Sequence, residues 1–245
     1  MYRKTADNIM ELNPEIAILP VGSLEQHGPH LPVMTDWAIA SEFGRRIAEE
    51  MGAFLIPALP ISTCREQMGK KGSVWMEPTT FYQMMMDIVL SLKLQGFKKI
   101  GILQCHGGIF IMTPLVRDLN ARYNPEIKVA LIDSNIFYPI LQREGILDSQ
   151  EFHAGEAETS EMMAIAPETV FMDRAIDCVP EVPQTYLSYG SIFRASPAGV
   201  WGEPTRATAK KGEKIFQRGT ELAVEELNRI FAYMEGKDKL NYSNF

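Results

Sequence analysis

The chain has 245 residues, 46% of them hydrophobic and 22% charged, which predicts a globular protein with one domain over residues 1–245. Its net charge of −7 argues against nonspecific nucleic-acid binding, and no apolar run approaches the ~20 residues of a membrane span. The N-terminus carries no apolar signal segment and the three cysteines are far apart, which fits free thiols in the cytoplasm.

Strand and helix patterns alternate along the first 135 residues. Short apolar runs predict strands at "EIAILPVGS", "AFLIPALP", "KKIGILQCHGG" and "KVALIDS". Apolar residues at helical spacing predict helices at "WAIASEFGRRIAEEMG", "FYQMMMDIVLSLKLQG" and "IMTPLVRDLNARYN", the second of them capped by Thr79 or Thr80. This alternation predicts a mostly parallel sheet with helices on both faces.

The pattern changes after residue 148. The segment "EAETSEMMAIAPETV" predicts a helix, residues 179–204 form a Pro-rich irregular stretch, and an amphipathic pattern predicts a C-terminal helix over residues 211–233. The irregular stretch carries four aromatic residues, which would be a sticky patch on a monomer if they were exposed. We therefore expect it to pack over the functional rim of the sheet or against a neighbouring subunit.

All four histidines lie in polar segments that follow or precede predicted elements. The loop "GSLEQHGPH" follows the first strand and "CHGG" follows the third, while the last histidine opens "HAGEAETS". In a parallel sheet the functional loops lie beyond the carboxyl ends of the strands, so the first two segments are expected on one rim. One histidine is usually structural, but four out of four in such segments indicate a functional cluster.

These segments offer a mixed set of nitrogen and oxygen ligands. Glu25 and His27 are two residues apart and would point to the same side of an extended segment. Asp36 precedes a predicted helix, where it can cap the backbone or bridge two cations. His106 at the end of the third strand and Glu158 on the later helix add to the set. Such ligands without a thiolate suit one or two Zn²⁺, Mn²⁺ or Fe²⁺ ions in an open catalytic site.

The same segments resemble the creatininase (creatinine amidohydrolase) family. "LPVGSLEQHGPHLPVMTD" is similar to its N-terminal metal motif, "CHGG" to its "NGHGGN" segment, "HAGEAETS" to its "HAGxxETS" segment and "SPAGVWGEPTRATAKKG" to its C-terminal signature. The resemblance covers nearly the whole chain. It implies a three-layer α/β/α sandwich, a dinuclear metal site, hydrolysis of a small-molecule amide or ring, and a homohexamer. It also implies that Glu25, His27, Asp36 and His106 are metal ligands, with Asp36 bridging.

The chain departs from the family pattern around the histidine at the end of the third strand. Where creatininase itself has a glutamate that binds the second metal ion, this chain has Gly108, and we expect Glu158 to replace that ligand. Gln104 and Cys105 stand where the family usually has Asn-Gly, and "MEPT" stands where many members have "FPGT". These departures argue against creatinine itself as the substrate.

Catalytic roles are assigned to His153 and Glu158. An imidazole with an ordinary pKa is suited to proton transfer, so His153 is expected near the activated water and not bonded to a metal ion. His30 is expected to orient a ligand or line the pocket, and Trp201 to be either core or pocket wall. The predicted substrate-binding residues are His30, Thr79, Gly107, Gly108 and Trp201.

Three functions remain open from the sequence. The chain is a metal-dependent hydrolase of a small cyclic amide, a formamide or a related polar ring, or it opens a cyclic diketone of inositol catabolism by hydrolysing a carbon–carbon bond. The third alternative is a non-catalytic, metal-stabilised binding protein. Gly108 in place of a ligand motivates this last alternative, whereas the presence of His153 and Glu158 argues against it.

Overall fold

The computed structural model describes residues 4–236 and contains a four-stranded parallel sheet. The strands are β1 (Ile16–Val21), β2 (Phe54–Leu55), β3 (Lys99–Gln104) and β4 (Lys128–Asp133). Their order in the sheet is β2-β1-β3-β4, so β1 and β3 are neighbours at its centre. The parallel α/β sheet predicted from the sequence is confirmed.

Seven α-helices are present in residues 4–236. They are α1 (Ala6–Leu12), α2 (Thr35–Glu50), α3 (Pro78–Leu94), α4 (Met112–Tyr123), α5 (Tyr138–Arg143), α6 (Glu156–Ile165) and α7 (Ala209–Met234). Within this part of the chain, none of them combines the length and the apolar character that crossing a membrane requires. Helices α2, α6 and α7 share one core with the sheet, and α3 and α4 share a second core with it.

Both faces of the sheet are buried because side chains alternate along each strand. Ile18 of β1 belongs to the core beneath α2, α6 and α7, whereas its neighbours Ala17 and Leu19 belong to the core beneath α3 and α4. A strand that is buried on both faces has a continuous apolar sequence. The three-layer α/β/α arrangement follows directly from this pattern.

Several element boundaries differ from the sequence prediction, including those of α3, β2 and α6, the last of which ends at Ile165 and not at Val170. Helix α3 begins at Pro78 with Glu77 as its N-cap, so neither Thr79 nor Thr80 caps it; proline suits the first helical position because its missing N–H is not needed there. Strand β2 is limited to two residues, because Pro57 cannot donate a ladder hydrogen bond. The chain then pairs once more with β1 through Leu59.

The carboxyl ends of the strands form the rim that carries the site. Because β1 and β3 are parallel and adjacent, the loops after Val21 and Gln104 leave the sheet side by side. The start of α2 packs tightly against the end of β1: a Cβ at Gly22 would lie 2.6 Å from backbone atoms of Asp36 and Trp37. Glycine at this position therefore allows Asp36 to reach the rim.

Candidate metal centre

The buried carboxylate of Asp36 lies at the centre of the polar cluster. Its Oδ1 is 2.9 Å from His27 Nε2, and its Oδ2 is 3.1 Å from His106 Nδ1. Ser23 Oγ donates a hydrogen bond of 2.9 Å to Oδ2. Burial alone would raise the pKa of Asp36, but the two histidines hold it below its usual range. Because each oxygen faces a different histidine, the carboxylate is placed to be shared by two cations.

Glu25 is fully buried, and neither of its carboxylate oxygens has a hydrogen-bond partner among the described residues. Its Oε2 lies 3.2 Å from His106 Nε2, and its Oε1 lies 3.6 Å from His153 Nδ1. Burial raises the pKa of this carboxyl to about 8. A buried carboxylate without a donor is costly, and a cation beside it would remove that cost.

His27 and Glu158 form the other end of the cluster. His27 Nδ1 is 3.2 Å from the backbone oxygen of Glu25 and donates to it, which leaves Nε2 to face Asp36 and Glu158 Oε2, 3.6 Å away. Burial acts to lower the pKa of His27, but the two carboxylates outweigh it and raise the pKa to about 10. Glu158 Oε2 accepts a hydrogen bond of 2.5 Å from the Ala154 N–H, and burial raises the pKa of Glu158 to about 7.

Three overlapping sets of these side chains converge closely enough to hold a metal ion. Within each set the ligand atoms lie within 4.8 Å of one another, and the sets are Glu25, Asp36 and His106; His27, Asp36 and Glu158; and Glu25, His27 and His153. All five predicted ligands take part, and Asp36 belongs to the first two sets. This nitrogen and oxygen donor set, together with the unpartnered oxygens of Glu25, fits the divalent ions expected from the sequence.

His153 lies beside the cluster, with its ring centroid 4.4 Å from that of His27. Its Nε2 is 2.9 Å from the Gln26 backbone oxygen, so Nε2 carries the proton and Nδ1, which faces Glu25, is free to accept one. Burial and the neighbouring His27 lower the pKa of His153 well below its usual value. Backbone hydrogen bonds of 3.1 and 2.8 Å to Trp201 fix the position of His153. The ring is therefore a neutral base that is also within ligand distance of the cluster.

Gln26, between two of the predicted ligands, connects three segments. Its Nε2 donates hydrogen bonds of 2.7 Å to Gln67 Oε1 and 3.0 Å to the Gly199 oxygen, and its Oε1 accepts one of 3.0 Å from the Gly28 N–H. One side chain thus joins the loop after β1 to the turn after β2 and to the segment before Trp201. The sequence analysis missed this role, because a single glutamine has no motif that reports its distant partners.

A cavity of about 260 Å³ opens beside the cluster. His106, His153 and Glu158 line it on the side of the metal centre, and Gly107 and Gly108 line it where β3 ends. Its further polar surface includes Ser134, Asn135 and Tyr138, and its apolar surface includes Phe110, Phe152 and Leu187. No lysine or arginine is among the described residues that line it. The cavity therefore offers hydrogen bonds and apolar contacts but no cationic side chain to an anionic group.

Three of the predicted substrate-binding residues do not line this cavity. Thr79 is exposed in the first turn of α3, because that helix begins one residue earlier, at Pro78, and carries the threonine on the outer surface. His30 is fully buried, with Nε2 3.0 Å from Thr159 Oγ1. Trp201 is 5% exposed and packs edge-on against Phe152 at 5.1 Å between ring centroids, so it is core behind the cavity wall.

The turn Arg65–Gln67 carries a site residue that the sequence analysis missed. The sequence of this segment shows no regular pattern, but Glu66 Oε1 lies 3.2 Å from His106 Nε2. The available signal was its position: the turn follows β2, and loops that follow parallel strands share the functional rim. No spacing within the segment indicated that its carboxylate points inward.

The family model for creatininase, described as creatinine amidohydrolase, matches residues 3–227. The chain belongs to the creatininase family. It is therefore a metal-dependent hydrolase, and the alternative of a non-catalytic binding protein is wrong.

The curated proteins that are similar to this chain include hydrolases named for different substrates. The mycofactocin precursor peptide peptidase of Mycobacterium ulcerans is 28% identical over 235 residues, which cover 90% of this chain and 86% of the relative. The creatinine amidohydrolase of Pseudomonas putida is 27% identical over 82% of this chain and 84% of its own length. The 3-dehydro-scyllo-inosose hydrolase of Thermotoga maritima is 24% identical over 88% of this chain and 76% of its own length.

Solved creatininase structures share the fold over nearly the whole chain. A putative creatinine amidohydrolase from Bacteroides fragilis has a TM-score of 0.75 and 28% identity, and the match covers 93% of this chain and 94% of that one. A manganese creatininase has a TM-score of 0.78 and 21% identity over 94% of this chain and 96% of that one. The predicted α/β/α fold is thus confirmed by comparison as well.

Proposed function

We propose that this creatininase-family hydrolase opens a small cyclic amide, or cleaves a formamide or related polar ring, at two divalent cations held by Glu25, His27, Asp36, His106 and Glu158. The observation that carries this proposal is the small cavity directly beside the cluster, whose lining, apart from the cluster itself and Glu66, consists of uncharged polar and apolar groups. Its volume of about 260 Å³ is below the ~300–1,000 Å³ of pockets for drug-sized ligands. Without a lysine or arginine in its lining, it suits an uncharged substrate better than a phosphorylated one.

Divalent cations bound by these residues would supply a water of lowered pKa and a polarised carbonyl, as hydrolysis of an amide requires. His153 Nδ1 accepts the proton of the attacking water and returns it to the leaving nitrogen. Its Nε2–H remains on the Gln26 carbonyl throughout, which keeps the ring oriented. Because the pKa of His153 is lowered, the base is unprotonated at neutral pH.

Substrate orientation is assigned to polar groups that follow β4. Asp133 at the end of that strand accepts hydrogen bonds of 3.0 Å from both the backbone N–H and the side-chain amide of Asn135. Asn135 is therefore held in place before substrate binds, and its neighbours Ser134 and Tyr138 face the same cavity. Preorganised donors and acceptors of this kind position a carbonyl without paying for reorganisation.

The proposal is tested with the metal-loaded protein against lactams, cyclic ureas, formamides, cyclic diketones and short peptides. We expect turnover of a lactam, cyclic urea or formamide that is lost with a chelator and restored by Zn²⁺ or Mn²⁺. Turnover of cyclic diketones alone would favour the second candidate, the carbon–carbon bond hydrolysis that the Thermotoga maritima relative motivates. A protein that binds no divalent ion and acts on no member of the panel would contradict the proposal.

We also infer a cytoplasmic location and a homo-oligomeric state. The location is supported by three free cysteines, of which Cys64 and Cys105 are buried. The oligomeric state is supported by the family resemblance and by the aromatic residues exposed near the cavity. Fractionation of the source cells and the mass of the purified protein in solution would test these two inferences.

A further inference from the structure

The turn after β2 brings an additional carboxylate to the His106 end of the cluster. Glu66 Oε1 lies 3.2 Å from His106 Nε2, and the Glu66 side chain is only 12% exposed. It lines the cavity, and its Oε1 is buried without a hydrogen-bond partner among the described residues. An inward-facing carboxylate oxygen without a donor is costly unless a positive charge lies beside it.

Gly108 leaves the space that this carboxylate occupies. A Cβ added at Gly108 would overlap both Glu66 Oε1 and His106 Nε2. Residue 108 follows β3, whereas Glu66 follows β2, so the two come to the same place from different strand ends. The missing side chain on one segment and the carboxylate from the other are therefore complementary.

More hydrogen-bond acceptors surround His106 Nε2 than the single proton of this nitrogen can satisfy. Glu25 Oε2 and Glu66 Oε1 each lie 3.2 Å away, and the Thr63 backbone oxygen lies 3.0 Å away. A ring nitrogen carries at most one proton, so at least two of these acceptors lack a donor from it. The carboxylates of Glu25 and Glu66 meet the same nitrogen from two segments, and a cation between them would satisfy both.

We propose that Glu66 is a metal ligand that joins Glu25 and Nε2 of His106 around one cation. The inference rests on the proposed function, because it needs a metal centre at this cluster. It gives that cation two carboxylates and one imidazole nitrogen, while the other ring nitrogen of His106, Nδ1, faces Asp36 at 3.1 Å.

Retention of Co²⁺ tests the assignment without measuring activity. The Co²⁺-loaded full-length protein and two variants, Glu66→Gln and Arg65→Ala, are equilibrated with graded amounts of a chelator, and bound Co²⁺ is counted. We expect Glu66→Gln to bind one of two ions at least ~100-fold more weakly, beyond the 10–100-fold typical of losing an outer-sphere partner. Arg65→Ala should retain both ions like the unsubstituted protein, because it changes an exposed side chain in the same turn.

The outcomes separate this inference from the proposed function. Unchanged retention of both ions by Glu66→Gln overturns the Glu66 assignment and leaves the proposed function standing, whereas an unsubstituted protein that binds no Co²⁺ overturns the metal centre itself. A crystal structure of the Co²⁺-loaded protein provides a measurement that does not depend on any variant. We expect a Glu66 oxygen at ~2.0–2.2 Å from the ion, and a carboxylate that reaches the ion only through water, or not at all, would also overturn the assignment.

Discussion

The four histidines fall into two pairs whose pKa values are shifted in opposite directions by their surroundings. His27 and His106 face carboxylates, which outweigh burial and raise the pKa of both rings. At the other two rings burial prevails: it lowers the pKa of His30 to about 4 and, together with the neighbouring His27, lowers that of His153 well below its usual value. The four rings thus have three roles. His27 and His106 suit cation binding, His153 is a neutral base at the cavity, and His30 is a structural ring in the interior.

His153 is expected to transfer protons and not to hold a metal ion. Replacing it, in His153→Ala, removes the only imidazole nitrogen that we assign to proton transfer, so kcat should fall by a factor on the order of 10²–10⁴. Metal content should stay unchanged, as measured by mass spectrometry of the purified variant. A variant that loses metal would instead make His153 a ligand, as the set of Glu25, His27 and His153 allows.

Glu158 is expected to bind the cation at the His27 end. In Glu158→Gln the amide oxygen can still accept the Ala154 N–H, but the negative charge is lost, so the variant should retain one ion of two. The matched control is Glu161→Gln, one turn along the same helix, which belongs to none of the three ligand sets. Full metal content at both positions in Glu158→Gln would show that its carboxylate is not a ligand.

Glu161 is a buried carboxyl whose two oxygens have no hydrogen-bond partner among the described residues. Burial, with Glu158 and Glu151, raises its pKa well above the usual 4.5. The folded protein therefore favours the protonated form, and this residue makes stability fall as pH rises above about 4.5, by up to ~1.4 kcal/mol per pH unit. Above the folded-state pKa the penalty stays constant.

Glu161→Gln removes that penalty. In urea unfolding of the metal-free protein, the variant should gain stability over the unsubstituted protein between pH 5 and pH 8. The control is Glu168→Gln, which changes an exposed carboxyl shortly after α6. A stability difference that does not change with pH would mean that Glu161 is ionised in the folded protein.

At the scale of the helices, the start of α6 is fixed to the start of α7 by an ion pair. Glu156 is fully buried and accepts hydrogen bonds from the N–H of Asp148, from the N–H and Oγ of Ser149, and from Lys211 Nζ. Lys211 also donates to Asp148 Oδ2 at 2.7 Å. Since Glu158 lies two residues after Glu156, this network helps to set where that ligand meets the cluster.

Lys211→Met should destabilise the fold by about 1–3 kcal/mol, because it leaves the Glu156 carboxylate buried without its cation. The loss is smaller than for a wholly buried pair, since Lys211 keeps 20% of its side chain exposed and Glu156 keeps its other donors. The loss of stability is measured as the shift of the urea unfolding midpoint. The control is Lys210→Met, which changes the exposed preceding residue. Equal midpoints for the two variants would mean that the other donors suffice.

The elements were predictable from the sequence, but side-chain directions in irregular segments were not. Apolar runs and helical spacing depend on local sequence, and parallel topology then brings the loops after β1 and β3 to one rim. The inward direction of Glu66 depends on the empty space at Gly108 and on His106, both about forty residues away. Trp201 faces the core for a comparable reason, because its backbone pairs with that of His153. Such contacts have no periodicity that a sequence pattern can report.

At the scale of the whole molecule, large apolar side chains remain exposed around the cavity mouth. Phe110 is 72% exposed, Tyr186 58% and Tyr189 79%. Leu187 and its polar neighbours in residues 184–188 line the cavity, so residues 184–189 cover the rim. The side chains of Tyr186 and Tyr189 in this segment are exposed on its outer side. Clustered exposed aromatic residues of this kind mark protein interfaces more often than free surface.

We expect the protein to form a homo-oligomer with this segment in the interface. The double variant Tyr186→Ser with Tyr189→Ser should shift the mass in solution towards the 27.6 kDa monomer, because it removes the aromatic contact surface. Light scattering after size-exclusion chromatography measures the shift. Leu94→Ser, at a residue 77% exposed at the end of α3, is the control and should leave the mass unchanged. An unsubstituted protein that is monomeric, or a double variant that assembles fully, would remove this segment from any interface and leave it only the role of covering the cavity.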